Sequence, residues 1–340
     1  MQNQDEKYMK ECFKLALKGK GKVAPNPLVG CVVLDKMGKC ISKGYHHKYG
    51  DNHAERDALL KLKNNEAEGG TLYVNLEPCS HFGKTPPCVD LIIERKIKHV
   101  VIGMKDINPK VDGITKLKQA GIDITLGVLE KEAKFLNRVF IKNIEEKLPY
   151  VVLKTATTMD GKISTSTGDS KWITSEEARK EVYKMRKEFD CIMTSSNTVI
   201  ADNPTMKHRG KYGFKCILDT NNRVPKNSKI FEQGEVYIAS KNNTPLKDGK
   251  LDIKSVLKGL YNKGIYTVFV ECGGTLAGSM LKDGLIDEVY QFVAPKILND
   301  NSGKSSFDGG KFTKISDAKN LEIYSTTLIG KDLLIKCKVL

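Results

Sequence analysis

The chain has 340 residues and a formal net charge of +15, with 56 Lys and Arg against 41 Asp and Glu. That length exceeds one ordinary compact domain and suits two of about 150–200 residues each. No apolar run approaches the ~18 residues of a membrane span, and the polar opening Met1-Gln2-Asn3-Gln4-Asp5-Glu6 lacks the charged-then-apolar order of a signal peptide. Nine scattered cysteines fit reduced thiols in a cytoplasmic protein better than a disulfide framework. The positive charge is nearly all lysine, spread along both halves without a dense basic tract or interleaved aromatics. A solvated lysine-rich surface accounts for it better than nucleic-acid binding does, and a phosphorylated small substrate fits the same field. The expected partner is therefore a small molecule, with no nucleic acid and no membrane; a homo-oligomer is left open.

In chain order, Met9, Cys12, Phe13 and Ala16 recur at helical spacing and predict an opening helix. Strands are predicted over 28–34 and 39–44, around a turn at 35–38. A helix with Ala54, Ala58, Leu59 and Leu62 on one face begins at His53-Ala54-Glu55, behind Gly50-Asp51-Asn52. Residues 71–75 read as a strand, and Pro87-Cys88 starts another helix. A strand over 99–104, a helix–strand pair over 114–126 and one helical stretch over 130–147 lead to a boundary at Leu148-Pro149. A second α/β series starts at 150–153. Its first helix runs from Ser175, with Thr174 and Glu177 at capping-box spacing. Strands over 191–194, 216–219, 236–239 and 267–270, a helix over 275–281, and closing strands over 287–294 and 323–339 complete the pattern. The alternation predicts the α/β class, with sheets covered by helices, in two domains spanning 1–147 and 148–340.

The chemistry gathers in the first half. His53, Cys79 and Cys88 supply one imidazole and two thiolates, a set that leaves zinc a fourth position for water. Glu55 follows the first ligand by two residues, placed to move protons without ligating. His81, between the cysteines, is the alternative imidazole. This H-x-E…P-C…C order is the signature of zinc deaminases, which replace an exocyclic ring amine with oxygen. A purely structural zinc is the competing explanation, and a nucleic-acid deaminase with a basic appendage is another.

Several longer stretches sharpen the picture: Pro25-Asn26-Pro27-Leu28-Val29-Gly30, Gly44-Tyr45-His46, and Glu77 through Cys88 with the wide Cys79-x8-Cys88 spacing. In these the first half resembles the deaminase domain of the bifunctional riboflavin-biosynthesis deaminase/reductase family, which implies a cytidine-deaminase-like three-layer α/β/α fold. The resemblance implies a pyrimidine ribotide pocket with Asn26 on the ring edge and His46 and Lys84 at the ribose phosphate. Taken alone, Asn26 reads as a turn residue between two prolines. Asp106-Ile107-Asn108-Pro109 matches the family's D-x-N-P loop, but Asp112-Gly113-Ile114-Thr115 departs from its Gly-Arg-Gly-type turn.

No G-x-G-x-x-G follows a strand in the second half, so a standard Rossmann site is unsupported. Gly273-Gly274 lies between a strand and a helix, where backbone amides can approach a pyrophosphate, although an ordinary strand-to-helix turn looks the same. Arg186 and Arg209 offer planar phosphate contacts that lysine cannot. Trp172, the only tryptophan, is more often core than site. The order of these motifs is similar to that of the reductase domain of the same family, implying a dihydrofolate-reductase-like α/β fold. By that resemblance NADPH takes Ala156, Trp172, Thr198, Asp202, Thr220, Gly273, Gly274, Thr275 and Leu276. Substrate takes Ser170, Arg186, Met206 (where the family usually has Leu), Arg209 and Glu271. Lys154 assists hydride transfer at the sugar carbon, and Arg223 is the candidate for a 2′-phosphate.

Overall fold

The computed structural model describes residues 2–63, 65–210, 213–310 and 314–340. They fall into two compact units, 1–147 and 148–340. In the first, the period of Met9, Cys12 and Ala16 becomes α1 (Gln2–Leu17). Strands β1 (Gly30–Leu34) and β2 (Cys40–Tyr45) form a hairpin. Then come α2 (Ala54–Leu59), β3 (Thr71–Leu76), α3 (Cys88–Glu94), β4 (His99–Met104), α4 (Gly113–Gln119) and β5 (Asp123–Leu126). The sheet order is β2-β1-β3-β4-β5, with β3, β4 and β5 parallel and β1 antiparallel to both of its neighbours, β2 and β3.

Side chains alternate across the sheet. Val32, Leu34, Tyr73 and Val101 pack with Met9, Cys12 and Leu15 of α1. Cys31, Val33, Leu72, Val74, Val100 and Ile102 pack with α2, α3 and α4 through Ala58, Leu59, Val89, Ile92 and Leu117. Helices on both faces make the three layers. The stretch expected as one helix over 130–147 is two, α5 (Glu130–Leu136) and α6 (Arg138–Glu146), interrupted at Asn137. At the interruption the Asn137 side chain bonds a distant peptide, that of Leu28, while the backbone keeps its i→i−4 bonds on either side.

The second unit runs β6 (Tyr150–Thr158), β7 (Lys162–Ser164), α7 (Glu176–Arg186), β8 (Cys191–Ser195), α8 (Ser196–Asp202), β9 (Phe214–Leu218) and β10 (Glu235–Ala239). It continues through β11 (Leu246–Lys247), β12 (Lys250–Leu251), α9 (Ile253–Asn262), β13 (Thr267–Glu271), α10 (Gly274–Lys282), β14 (Glu288–Ala294), β15 (Lys304–Ser305), β16 (Leu321–Ile329) and β17 (Asp332–Val339). Its main sheet has the order β10-β9-β8-β13-β6-β14-β17-β16, parallel from β10 to β14 and antiparallel beyond. The cap of α7 differs from expectation. Ser175, not Thr174, is the N-cap, its Oγ accepting from the Ala178 amide while Asp332 holds its own N–H. Helix α9 adds to the expected elements: Asp252 caps it, and Ile253, Val256, Leu257 and Leu260 carry the helical period.

Candidate active sites

Three element ends converge in the first unit. His53 is the extended N-cap of α2, Cys79 lies just past the end of β3, and Cys88 opens α3. His53 Nδ1 lies 3.4 Å from Cys79 Sγ and 3.6 Å from Cys88 Sγ, and all three ligand atoms fall within 4.8 Å of one another. A tetrahedral zinc with ordinary Zn–N and Zn–S bonds would hold its nitrogen and sulfur ligands about 3.5 Å apart. The donor set therefore fits zinc in chemistry and in spacing. His81 is outside this group and lines the adjoining cavity. The Cys88 amide, at the start of α3, donates to Cys79 Sγ at 3.3 Å. The Cys79 thiol is drawn well below its ordinary range, chiefly by the hydrogen bond from the Cys88 thiol and then by His53.

Glu55 is 3 % exposed, and its Oε2 has no hydrogen-bond partner among the described residues. Burial, and then the Cys79 thiolate, push its carboxyl up to about 7. Two adjoining cavities of about 400 and 140 Å³ share Asn26, His53, Cys79 and His81 in their walls; Glu55, Asp106 and Asn108 line the smaller.

His46, expected at the ribose phosphate, lines the smaller cavity. It is buried, with Nδ1 3.0 Å from the Asn52 carbonyl and Nε2 3.0 Å from Asn26 Nδ2. A carbonyl only accepts, so Nδ1 carries the proton and Nε2 accepts from the Asn26 amide. Burial holds the ring below its ordinary pKa, hence neutral. The Asn26 Oδ1 is left as the acceptor on the cavity wall. Lys84 lines the wider cavity, its Nζ 4.1 Å from the centre of the Tyr49 ring.

Glu77 was not singled out by sequence. Its two oxygens accept from the amides of Asp106 (3.1 Å) and Ile114 (3.0 Å), so this buried carboxylate ties the loop carrying Asp106 and Asn108 to the strand end that carries Cys79. Burial pushes Asp106 up to about 6. The departure at Asp112-Gly113 packs on the same motif. A Cβ at Gly113 would lie 2.0 Å from the Pro78 carbonyl, and the Asp112 amide donates to Ser80 Oγ at 2.8 Å.

In the second unit the carboxyl ends of parallel strands hold the candidates, the usual ligand edge of such a sheet. Lys154 and Glu271 sit opposite each other on β6 and β13. Arg186 pairs with both Glu271 oxygens, the Nη2–Oε2 bond being 3.0 Å, and Lys154 Nζ stands 3.9 Å from Oε2. Burial disfavours the Glu271 charge, but Arg186 and Lys154 outweigh it and keep the carboxyl below its usual range. Burial lowers Lys154 in turn. Arg186 and Glu271, expected separately on substrate, are thus bonded to each other. Ala156 shares the face of Lys154 along β6.

Ser170 and Trp172 line a cavity of about 170 Å³ together with Thr158, Ser164 and Leu298. Trp172 is 61 % exposed, so it is not core, and the Arg179 guanidinium stacks 4.2 Å above it. Thr198 and Asp202 belong to α8, whose N-cap is Ser195, and Thr220 follows β9. Arg223 donates to Ser196 Oγ (3.0 Å) and Asn197 Oδ1 (2.6 Å) at that same helix start. Met206 is buried rather than open to a ligand. Arg209 is bonded to the Lys187 carbonyl and to Asp190, with its Nη2 buried and unpartnered among the described residues. The two glycines differ. Gly273 has open space around its missing Cβ, whereas a Cβ at Gly274 would lie 2.2 Å from the Ser305 carbonyl. Gly274 therefore admits neighbouring chain, and Gly273, ahead of Thr275 and Leu276, alone keeps its side free for a ligand.

Residues 2–104 match the family model for the cytidine and deoxycytidylate deaminase zinc-binding region, and residues 149–335 match that for the RibD C-terminal domain. The riboflavin biosynthesis protein RibD of Actinobacillus pleuropneumoniae is 38 % identical over 97 % of this chain and 94 % of its own. That of Aquifex aeolicus is 40 % identical over 97 % of each. The chain belongs to the RibD family.

Solved RibD structures agree. The Thermotoga maritima diaminohydroxyphosphoribosylaminopyrimidine deaminase/5-amino-6-(5-phosphoribosylamino)uracil reductase superposes with a TM-score of 0.88 at 36 % identity, covering 100 % of this chain and 99 % of its own. Acinetobacter baumannii RibD gives 0.86 at 33 % identity, covering both chains in full. The chain is a bifunctional deaminase/reductase of riboflavin biosynthesis, with a cytidine-deaminase-like first half and a dihydrofolate-reductase-like second half. Among its described residues no helix is long and apolar enough to cross a membrane.

Proposed function

We propose that His53, Cys79 and Cys88 hold the zinc and that Glu55 carries the protons for hydrolytic deamination of 2,5-diamino-6-ribosylamino-4(3H)-pyrimidinone 5′-phosphate. Bound there, zinc supplies the Lewis acidity that makes water nucleophilic near neutral pH. Glu55, buried with one oxygen unengaged, takes the proton from that water and delivers it to the ring and the departing ammonia. Asn26 accepts from the pyrimidine edge through Oδ1, with its amide nitrogen held by His46. Lys84, across the wider cavity, takes the phosphate.

The second unit reduces the ribosyl group of the deaminated product to ribityl. NADPH supplies the hydride for C1′. Trp172, Thr198, Asp202, Thr220 and the turn at Gly273 form its bed, and Ala156 lines the strand beneath. Lys154, held by the Glu271–Arg186 pair, gives a proton to the sugar oxygen as C1′ is reduced. Ser170 contacts the sugar, and the unpartnered Nη2 of Arg209 is the donor for its phosphate. The buried Met206 supports that loop from within. The enzyme works in the cytoplasm on a small ribotide, without nucleic acid or membrane, consistent with the dispersed lysines.

The observation that carries this reading is the convergence of one imidazole and two thiols beside a buried carboxylate with an unengaged oxygen. Glu55→Gln tests it. Ammonia release should fall at least about 10²-fold with zinc still bound, while NADPH oxidation on pre-deaminated substrate continues. Undiminished ammonia release would remove Glu55 from the chemistry, and loss of both activities would argue against two separable sites.

A further inference from the structure

Asn137 is buried, 2 % exposed, at a place where a helix would otherwise continue. Its carboxamide crosses 109 positions of sequence to Leu28. Oδ1 accepts from the Leu28 amide at 2.8 Å, and Nδ2 donates to the Leu28 carbonyl at 3.1 Å. This closed pair satisfies both polar groups of one residue, as a neighbouring strand would. A second buried asparagine joins it. Asn75 of β3 donates to the same carbonyl at 2.9 Å and accepts from the Gly30 amide at 2.8 Å.

Two residues before Leu28 stands Asn26, between Pro25 and Pro27. Each proline fixes its own φ and restricts the residue ahead of it, so little freedom separates Asn26 from Leu28. Once the Leu28 peptide is clamped, the position of Asn26 is largely set; the bond from its side chain to His46 sets the orientation. Phe140, three residues on in α6, lines the smaller cavity beside Asn26. Only a primary amide offers donor and acceptor together at this span. An aliphatic side chain would leave the Leu28 amide unpaired inside the protein.

We infer that Asn137 is a positioning residue of the deaminase, acting through the Leu28 peptide to hold Asn26 against the pyrimidine. This rests on the reading above that Asn26 contacts the ring. A double-mutant cycle on the full-length enzyme tests it: Asn137→Ala, Asn26→Ala and the double variant, with ribotide KM and kcat measured by ammonia release. Zinc content and NADPH oxidation on deaminated substrate serve as controls within the same chain. Asn137→Ala should raise KM about tenfold, the size of one misplaced hydrogen bond, with kcat less affected and both controls unchanged. The double variant should bind no worse than Asn26→Ala alone, because a group acting through Asn26 has nothing left to position.

Fully additive KM effects, or loss of zinc in place of a KM change, would overturn the inference and leave Asn137 a stability residue. An unchanged KM in Asn26→Ala would instead remove the ring contact itself, and the inference with it. Should Asn137→Ala fail to fold, Asn75→Ala probes the same carbonyl. It must show the same non-additivity with Asn26→Ala, and additivity there would count equally against the inference.

Discussion

Lys215 offers a test of how the loop carrying Met206 and Arg209 is held. It sits on β9 and is 1 % exposed, and its ammonium donates to three backbone carbonyls: Thr205 (3.1 Å), Ile230 (2.6 Å) and Gln233 (2.7 Å). The loop is strained, since Asn203, Met206 and Arg209 take φ of +41°, +44° and +44°, at a cost of about 1 kcal/mol or more each for residues with a side chain. Lys215→Met removes the cost of burying a charge but leaves three carbonyls in its place. At about 1 kcal/mol for each unsatisfied group, the loss is about 3 kcal/mol. With a urea dependence of about 2 kcal/mol per M for a unit of this size, the midpoint should fall by about 1.5 M. Trp172 is the only tryptophan and lies in the second unit, so its fluorescence reports that transition. Ammonia release without urea should be unchanged. A shift below about 0.5 M would mean that water or a relaxed loop satisfies the carbonyls, and the anchoring role would fall.

Glu271→Gln should leave Arg186 and Lys154 as buried cations without their carboxylate; reductase kcat/KM is expected to fall about 10²-fold and the unit to lose about 3 kcal/mol, with deamination intact, and wild-type reduction rates would refute the role of the pair. Stripping zinc with a strong chelator should end ammonia release and lower the melting temperature of the first unit, while NADPH oxidation on deaminated substrate proceeds; equal loss of both activities would contradict separate sites. His208 is held down to about 4, chiefly by burial, against an ordinary 6.5. As pH falls from 6.5 towards 4 the unfolded chain takes the proton first, so stability is full above 6.5 and declines across that window, by up to about 1.4 kcal/mol per pH unit before screening by water. His208→Gln should flatten the decline in Tm-against-pH curves, and parallel curves would exclude His208 as its source.

What could be read from sequence and what could not divide along physical lines. His53, Cys79 and Cys88 stand at the starts or ends of elements whose periodicity is local, so both their chemistry and their convergence are visible in short windows. The interruption at Asn137 is not, because one polar residue in an apolar-periodic stretch looks like an exposed helix position until Leu28 is placed beside it. The same holds for Arg186 and Glu271, 85 residues apart, each plausible as a free ligand until they are seen bonded to each other. Neutral, buried His46 likewise depends on Asn52 and Asn26 arriving around it. Helix α9 is different: its Asp252 cap and the apolar period of Ile253, Val256, Leu257 and Leu260 are local signals, legible in the sequence without any distant partner.

The position of α6 bears on how this enzyme can be taken apart. The match to the zinc-binding region stops at residue 104, a border that encloses His53, Cys79, Cys88 and Glu55. Phe140 and Asn137 lie well past it, yet one lines the cavity and the other grips the Leu28 peptide, two residues beyond Asn26. A fragment excised at the motif's border would keep these four side chains and lose a wall of the cavity beside them. A portable deaminase cut from this chain needs to run through Glu146, the last residue of α6.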